Sequence, residues 1–251
     1  MPTYALLGYP LTHSFSRTYF TKKFASLGLA DTHRYVNFEL QSVNQLEEKL
    51  DEYNDVAGFN VTIPHKRAIL SLLDAIDPIA ASIGAVNTVI VHDGRLTGYN
   101  TDYLGFRDDL LEQLAARGRN LPTESKALIL GTGGASLAVA AALDDLGIEH
   151  SFVSRSAGAN RLTYDALSGE VLQQCRLLVN TTPLGMYPNV SAAPYLDYGA
   201  LTAEHFCYDL TYNPPETAFM RRARAAGAGA ANGQGMLVKQ AEAAWKIWTA
   251  E

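Results

Sequence analysis

At 251 residues, with 47% hydrophobic and 18% charged side chains, the chain has room for one large domain or two ordinary ones, and its composition is globular rather than disordered, collagenous or coiled-coil. The net charge of -6 comes from interspersed charges and excludes nucleic acid as the main partner. Arg221, Arg222 and Arg224 share one helical pattern, where a solvated face explains them, so any anion must be met by locally aimed donors. Cys175 and Cys207 cannot make a disulfide framework, no metal-ligand spacing links them to histidines, and no stretch approaches roughly eighteen apolar residues; a cytoplasmic, metal-free chain that is neither secreted nor membrane-spanning is expected.

Short apolar runs alternate with longer amphipathic ones from the start. Tyr4 to Gly8 reads as a strand and Ser16 to Leu29 as a helix; Arg34 to Phe38 and Val43 to Tyr53 repeat the pair, as do Val56 to Ile63 and Lys66 to Leu73. This alternation predicts a mainly parallel sheet covered by helices. Val86 to His92 and Leu96 to Asn100 flank Asp93-Gly94, a strong hairpin signal that predicts an antiparallel edge on the sheet. A helical pattern from Tyr103 to Arg117 runs into a polar loop ending at Ser125, and the domain boundary is expected along that helix.

A second alternation follows: strand Ala127 to Gly131, helix Ala135 to Leu146, strands Ser151 to Ser154, Leu177 to Asn180 and Phe206 to Leu210, and helix Pro215 to Ala226. This half reads as doubly wound. From Gly235 to Trp248, Leu237, Ala241, Ala244, Trp245 and Trp248 recur at three- and four-residue spacing, an apolar stripe that needs a surface to cover it. The expected architecture is α/β: an N-terminal domain at 1–103, a Rossmann-like domain at 104–234, and a cleft between them.

Gly131-Thr132-Gly133-Gly134-Ala135-Ser136 joins a buried-strand pattern to a long Ala/Leu helix. Glycines there let the backbone approach a pyrophosphate, and the N–H groups of the helix N-terminus meet its charge. Ser136 stands where the usual fingerprint has a third glycine. About twenty residues on, where an acidic residue selects a free ribose 2′-hydroxyl and an arginine accommodates a 2′-phosphate, the chain reads Ser154-Arg155-Ser156. That favours NADP over NAD, with Arg161 as a second candidate cation.

Three polar clusters fall at strand ends in the first half. In His13-Ser14-Phe15-Ser16 the serines are read either as helix N-caps or as carboxylate ligands. In Asn60-Val-Thr62-Ile-Pro64-His65-Lys66, Pro64 is expected to start a helix, which sets Lys66 against the dipole rule in its first turn. Lys66 there reads as solvated surface or as a proton-transfer group. In Gly84-Ala-Val-Asn87-Thr88, followed by Asn100-Thr-Asp102, Asp102 reads as a helix N-cap or as a functional carboxylate.

These stretches resemble the shikimate dehydrogenases over nearly the whole chain. The likeness runs through Ser14-x-Ser16, Asn60 to Lys66, Gly84 to Thr88, Asn100-Thr-Asp102, the Gly131 turn, Asn180-Thr-Thr-Pro-Leu-Gly-Met186, Asp209-Leu-Thr-Tyr-Asn-Pro214 and Gly235-Met-Leu-Val-Lys-Gln240. It implies a substrate-binding first domain closed by the C-terminal helix 235–251, an NADP-binding second domain, and reversible reduction of 3-dehydroshikimate to shikimate in aromatic amino acid biosynthesis, by a monomer or homodimer. By the resemblance Ser14 and Ser16 hold the substrate carboxylate with Tyr212, while Asn60, Thr62, Asn87 and Gln240 read ring hydroxyls. Lys66 and Asp102 are the catalytic pair, and Leu210, Gly233 and Met236 lie near the nicotinamide. Thr132 and Ser154-Arg-Ser156 depart from common family residues, and His13 and His65 are given structural roles. The rivals are a quinate or aminoshikimate dehydrogenase, and a catalytically silent NADPH-binding regulator, which is expected to lack Lys66 or Asp102.

Overall fold

Every residue of the strand Thr3–Gly8 is buried, as a strand covered on both faces requires. The computed structural model describes residues 1–11, 15–118 and 126–250. Its elements are β1 (Thr3–Gly8), α1 (Phe15–Ser26), β2 (Arg34–Glu39), α2 (Leu46–Glu52), β3 (Val56–Val61), β4 (Ala75–Ile76), α3 (Pro78–Ile83), β5 (Thr88–His92), β6 (Arg95–Tyr99), α4 (Thr101–Ala115), β7 (Ala127–Leu130), α5 (Gly134–Asp145), β8 (His150–Ser154), β9 (Arg161–Thr163), α6 (Gly169–Gln174), β10 (Leu177–Asn180), β11 (Phe206–Asp209), α7 (Ala218–Ala225), β12 (Gly229–Asn232) and α8 (Gln234–Trp248). They divide into two units, Met1–Thr101 with Ala241–Glu251, and Asp102–Gln240.

The first unit holds a six-stranded sheet in the order β2-β1-β3-β5-β6-β4. β1 is parallel to β2 and β3, and β5 runs antiparallel between β3 and β6. Alternation along β1 sends Ala5 and Leu7 to a core with Phe38, Phe59 and Val89. Tyr4 and Leu6 go to the opposite face, against Phe20 and Phe24 of α1 and Trp248 of α8. Lys23 of α1 bonds both carboxylate oxygens of Glu242 at 2.7 and 2.8 Å, and Tyr19 donates to the same carboxylate. Trp248 fits because residue 58 is glycine: a Cβ there would lie 2.4 Å from the indole. Its Nε1 donates to the Val89 carbonyl at 2.9 Å.

Two expectations are corrected here. Asp93 (φ 50°) and Gly94 (φ 73°) form the hairpin turn with positive φ at both positions, as a type I′ turn demands. The hairpin is not at the sheet edge, however, because β4 pairs outside β6. Nor does Pro64 open a helix. The Lys66 carbonyl accepts from Val86 N–H at 2.8 Å and is thereby withdrawn from an intrahelical bond, so residues 63–67 form turns and only a 3₁₀ segment, Ala68–Leu72, follows.

In the second unit the order is β12-β11-β10-β7-β8-β9, and all five pairings are parallel. Ala127 and Ile129 face a core with Val139 and Leu143 of α5 and Phe106 of α4, whereas Leu128 and Leu130 face Leu172 of α6 and Phe219 of α7. The sheet is thus doubly wound, with β8 on one side of β7 and β10 on the other. The short elements β4, β9, β12, α3 and α6 add to what periodicity alone announced, and the helix expected from Pro215 begins at Ala218.

Both tryptophans, Trp245 and Trp248, belong to the first unit, so their fluorescence reports its unfolding. Gly58→Ala is expected to destabilise this unit by about 1–3 kcal/mol through overpacking against Trp248, measured as a lowered urea midpoint. An unchanged midpoint would mean that the indole moves aside at no cost.

Candidate active site

Registers bring the polar residues of the first unit to one end of its inner strands: Asn60 lies opposite Leu6 and Thr88, and Thr88 opposite Tyr99. Asn60, Asn87, Thr88, Asn100 and Thr101 are all buried there. Buried polar groups need partners, and these find one another. Tyr35 OH donates to Asn60 Oδ1 at 2.8 Å, and Asn60 Nδ2 donates to Thr88 Oγ1 at 3.2 Å. Thr88 in turn donates to Asn87 Oδ1 at 3.2 Å, and Thr101 N–H to the same oxygen at 2.6 Å. With its carbonyl so committed, the Asn87 amide is held in one orientation. Asn60 is engaged at both ends of its amide within the protein. Burial holds the Tyr35 phenol far above its ordinary range, partly opposed by the Ser16 hydroxyl beside it.

Thr62 follows β3 directly, its N–H bonded to Leu7 O at 2.8 Å. A Cβ on Gly8 would lie 2.4 Å from its methyl group, so Gly8 gives Thr62 its place. His65 is 3% exposed and pairs through Nε2 with Leu40 O at 2.6 Å, which pins the turn that carries half-buried Lys66. Ser16 is the second residue of α1 and so is not its cap; Ser14 and His13 lie outside the described residues. Asp102 is likewise inside the first turn of α4 rather than at its cap, the preceding position being Asn100. A carboxylate in a first helical turn is favoured by the dipole.

In the second unit the glycine turn lies at the switch point, where β7 is flanked by β8 and β10. Gly131 has φ +111°, a conformation only glycine adopts readily, and a Cβ on it would meet Thr181 Oγ1 at 2.8 Å. Gly133 is the N-cap of α5 and supplies no side-chain cap. Nothing lies within 4 Å of a Cβ built on Gly133 or Gly134, and Thr132 and Ala135 are exposed beside them. Open, uncapped backbone N–H groups at a helix N-terminus fit a pyrophosphate. Ser136, in the third-glycine position, is fully buried, and its hydroxyl turns back to Gly133 O at 2.6 Å.

At the end of β8 the Ser154 hydroxyl donates to Ser156 O at 2.7 Å and accepts from Ser156 N–H at 3.2 Å, so it shapes a turn that leaves Arg155 and Ser156 exposed. Arg161 is also exposed, but on β9 its partner is Phe152, two residues before Ser154. Leu210 and Gly233 come together after β11 and β12, where a Cβ on Gly233 would lie 2.2 Å from Leu210 O. Met236 is buried in the first turn of α8. Gln240 is 8% exposed and donates from Nε2 to Leu237 O at 3.0 Å, while Tyr212 is 40% exposed.

Sequence reasoning passed over Asp209 and Asn180, neither of which it gave a role. Asp209 is fully buried, and its carboxyl is pushed up by burial and drawn back by hydrogen bonds from Thr217, Thr211 and Asn180. The available signal was an aspartate closing the apolar run Phe206-Cys-Tyr-Asp. Burial pushes the Cys175 thiol to about 11 and that of Cys207 to about 12, which removes both as nucleophiles. Among the described residues no cluster of His, Cys, Asp and Glu is suited to a metal ion, and no helix is long and apolar enough to cross a membrane.

The family model for the shikimate dehydrogenase substrate binding domain matches residues 6–89. The chain is 35% identical to the NADP+ shikimate dehydrogenase of Halothermothrix orenii over 97% of its own length and 89% of that protein. It is 38% identical to the enzyme of Citrifermentans bemidjiense, with 97% and 88% covered. Among solved structures it is similar to Thermus thermophilus shikimate 5-dehydrogenase in complex with NADP(H) and shikimate, at TM-score 0.84, 36% identity and coverage of 100% and 94%. It is also similar to a ligand-free 5-ketofructose reductase of Gluconobacter, at TM-score 0.83, 29% identity and coverage of 99% and 93%.

Tyr35→Phe removes the donor to Asn60 Oδ1 and leaves a buried carbonyl unpaired. A loss of about 1–3 kcal/mol is expected, measured by urea unfolding with tryptophan fluorescence. Wild-type stability in this variant would show that Asn60 finds another donor.

Proposed function

The chain belongs to the shikimate dehydrogenase family, and from that membership we propose that it reduces 3-dehydroshikimate to shikimate, reversibly, with NADPH. The observation that carries the reading is the match to NADP+ shikimate dehydrogenases along 97% of the chain, and the chain carries both Lys66 and Asp102. A silent regulator on the same fold has no use for that pair. The 5-ketofructose reductase indicates that the scaffold also serves another polyhydroxylated ketone, so the substrate is assigned on sequence identity and polar residues rather than on shape.

On this reading residues 1–103 with 235–251 serve the substrate and residues 104–234 the cofactor. Ser14, Ser16 and Tyr212 donate to the ring carboxylate. Thr62, Asn87 and Gln240 read ring hydroxyls, Asn87 as a donor, with Asn60 orienting its neighbours from behind. Gly131 to Ala135 hold the pyrophosphate of NADP, and Ser154 to Ser156 serve the adenosine ribose, with Arg155 as the cation for its phosphate. Leu210, Gly233 and Met236 wall the nicotinamide. When bound, NADPH supplies the hydride. As negative charge builds on the carbonyl oxygen, the Lys66 ammonium stabilises it and holds the proton that oxygen needs, while the Asp102 carboxylate orients the groups around it. Catalysis resides in contacts that strengthen as that charge develops.

Steady-state oxidation of shikimate and of quinate, each with NADP and with NAD, tests the assignment. Shikimate with NADP is expected to give the highest kcat/KM; equal efficiency with quinate would move the chain to the neighbouring specificity. Arg155→Ala should raise KM for NADP roughly tenfold, the low end for a charge-assisted hydrogen bond because Arg155 is exposed, and leave KM for NAD nearly unchanged. Lys66→Ala should lower kcat by roughly 10²–10⁴ with a smaller effect on KM. Asp102→Asn should lower kcat too, and the double variant should lose less than the product of the two single losses. Near-normal turnover in Lys66→Ala would remove that residue from the chemistry.

A further inference from the structure

We propose that Asp209 is a positioning residue for the cofactor, fixing through Asn180, Thr211 and Thr217 the two strand-end segments on which the glycine turn and the nicotinamide wall rest. This inference depends on the glycine turn binding NADP.

Asp209 is the last residue of β11, and its register partners are Asn180 at the end of β10 and Asn232 at the end of β12. Its Oδ1 accepts from Asn180 Nδ2 at 3.1 Å and from Thr211 N–H at 3.0 Å, and its Oδ2 from Thr217 Oγ1 at 2.6 Å. Asn180, its amide oriented by this contact, accepts on Oδ1 from Thr182 N–H at 3.1 Å and Thr182 Oγ1 at 2.6 Å. Thr181 and Thr182 are the residues that a side chain on Gly131 would strike, at 2.8 and 3.0 Å. Thr181 is further tied to Leu130 O by its N–H at 2.9 Å and its hydroxyl at 2.8 Å. One carboxylate therefore fixes the ledge beneath the phosphate turn.

The same carboxylate acts on its own strand's exit. By holding Thr211 N–H and Thr217 it sets the course of the chain around Leu210, whose carbonyl packs against Gly233. Every donor is neutral: an amide, a backbone N–H and the hydroxyls of Thr217 and Thr211. A buried carboxylate held this way is a costly choice for stability alone, since an apolar side chain would avoid the desolvation. What it provides is three directed contacts from one residue at the place where two loops must keep a fixed separation. Thr217 accepts from Met220 N–H at 3.3 Å as the N-cap of α7, so its hydroxyl is itself oriented to donate to Asp209.

The test is calorimetric titration of the full chain with NADP+ and, separately, with shikimate, for wild type, Asp209→Asn, Thr217→Val and Thr217→Ser. Thr217→Val loses a helix cap in any event, so a lower Tm is expected of it, and titrations are run well below the unfolding transition. Thr217→Val and Asp209→Asn are expected to raise the NADP+ Kd roughly tenfold, the cost of one charge-assisted hydrogen bond. The shikimate Kd should stay at the wild-type value, and Thr217→Ser should restore NADP+ binding. A wild-type NADP+ Kd in folded Thr217→Val and Asp209→Asn would reduce Asp209 to a stabilising group and overturn the proposal. If Asp209→Asn does not fold, the Thr217 pair decides. Failure of the wild-type chain itself to bind NADP+ would instead overturn the cofactor reading, and this proposal with it.

Discussion

A backbone N–H that leaves the end of a buried strand has to find an acceptor, because the ladder that served it inside the sheet has stopped and water is excluded. Both units meet this constraint with the side chain of a strand-end residue. In the first, Asn87 Oδ1 takes Thr101 N–H; in the second, Asn180 Oδ1 takes Thr182 N–H and Asp209 Oδ1 takes Thr211 N–H. An acceptor committed in this way can no longer rotate, and the amide that carries it must point its NH₂ group in one direction. The requirement that satisfies the fold also fixes the polarity of the groups a ligand would meet.

The consequence differs between the two sheets. In the first unit the polar row runs from Tyr35 of β2 through Asn60 of β3 to Thr88 and Asn87 at the start of β5, and Tyr35, Asn60 and Thr88 each donate to the next. A chain of this kind is strengthened by mutual polarisation and is costly if one link is lost. It fixes side chains without needing charge. In the second unit the corresponding group is a buried carboxyl held by neutral dipoles, next to a turn whose helix N-terminus has no side-chain cap. Backbone N–H groups and Arg155 there suit an anion, and on the proposed function they let a chain of net charge -6 take a phosphorylated cofactor without a broadly positive field.

Much of this was legible in the residues. Period and turn chemistry announced the alternation of strands and helices, the Asp93-Gly94 turn and the glycine turn, because each of these is decided locally by side-chain spacing or by a need for positive φ. The places that misled are those decided by a distant partner. Pro64 looked like a helix start, and the local sequence permits one; the Val86 N–H that claims the Lys66 carbonyl lies twenty residues away and leaves no local trace. Two-residue β4 and three-residue β9 exist because neighbouring strands offer an edge, which no periodicity in two or three residues can signal. Asp102 looked like a helix cap because it stands in the polar run Asn100-Thr-Asp at the start of α4, where sequence alone does not say which residue opens the helix.

Asp209 was legible as an anomaly only. Cys207 and Asp209 point to the same face of β11 by the alternation of a strand, and an aspartate beside a buried thiol conflicts with every rule for filling a core. Local propensity would put an apolar residue there. Such conflicts between local preference and global placement concentrate where a protein holds a fixed geometry at some cost in stability. The burial that raises the Asp209 carboxyl is that cost in physical form. The neutral donors that draw it back down offset the cost, and they come from Asn180 at the end of β10, Thr211 after β11 and Thr217 at the N-cap of α7. A carboxylate whose donors all stand where elements end or begin organises those junctions more than it organises the core around it.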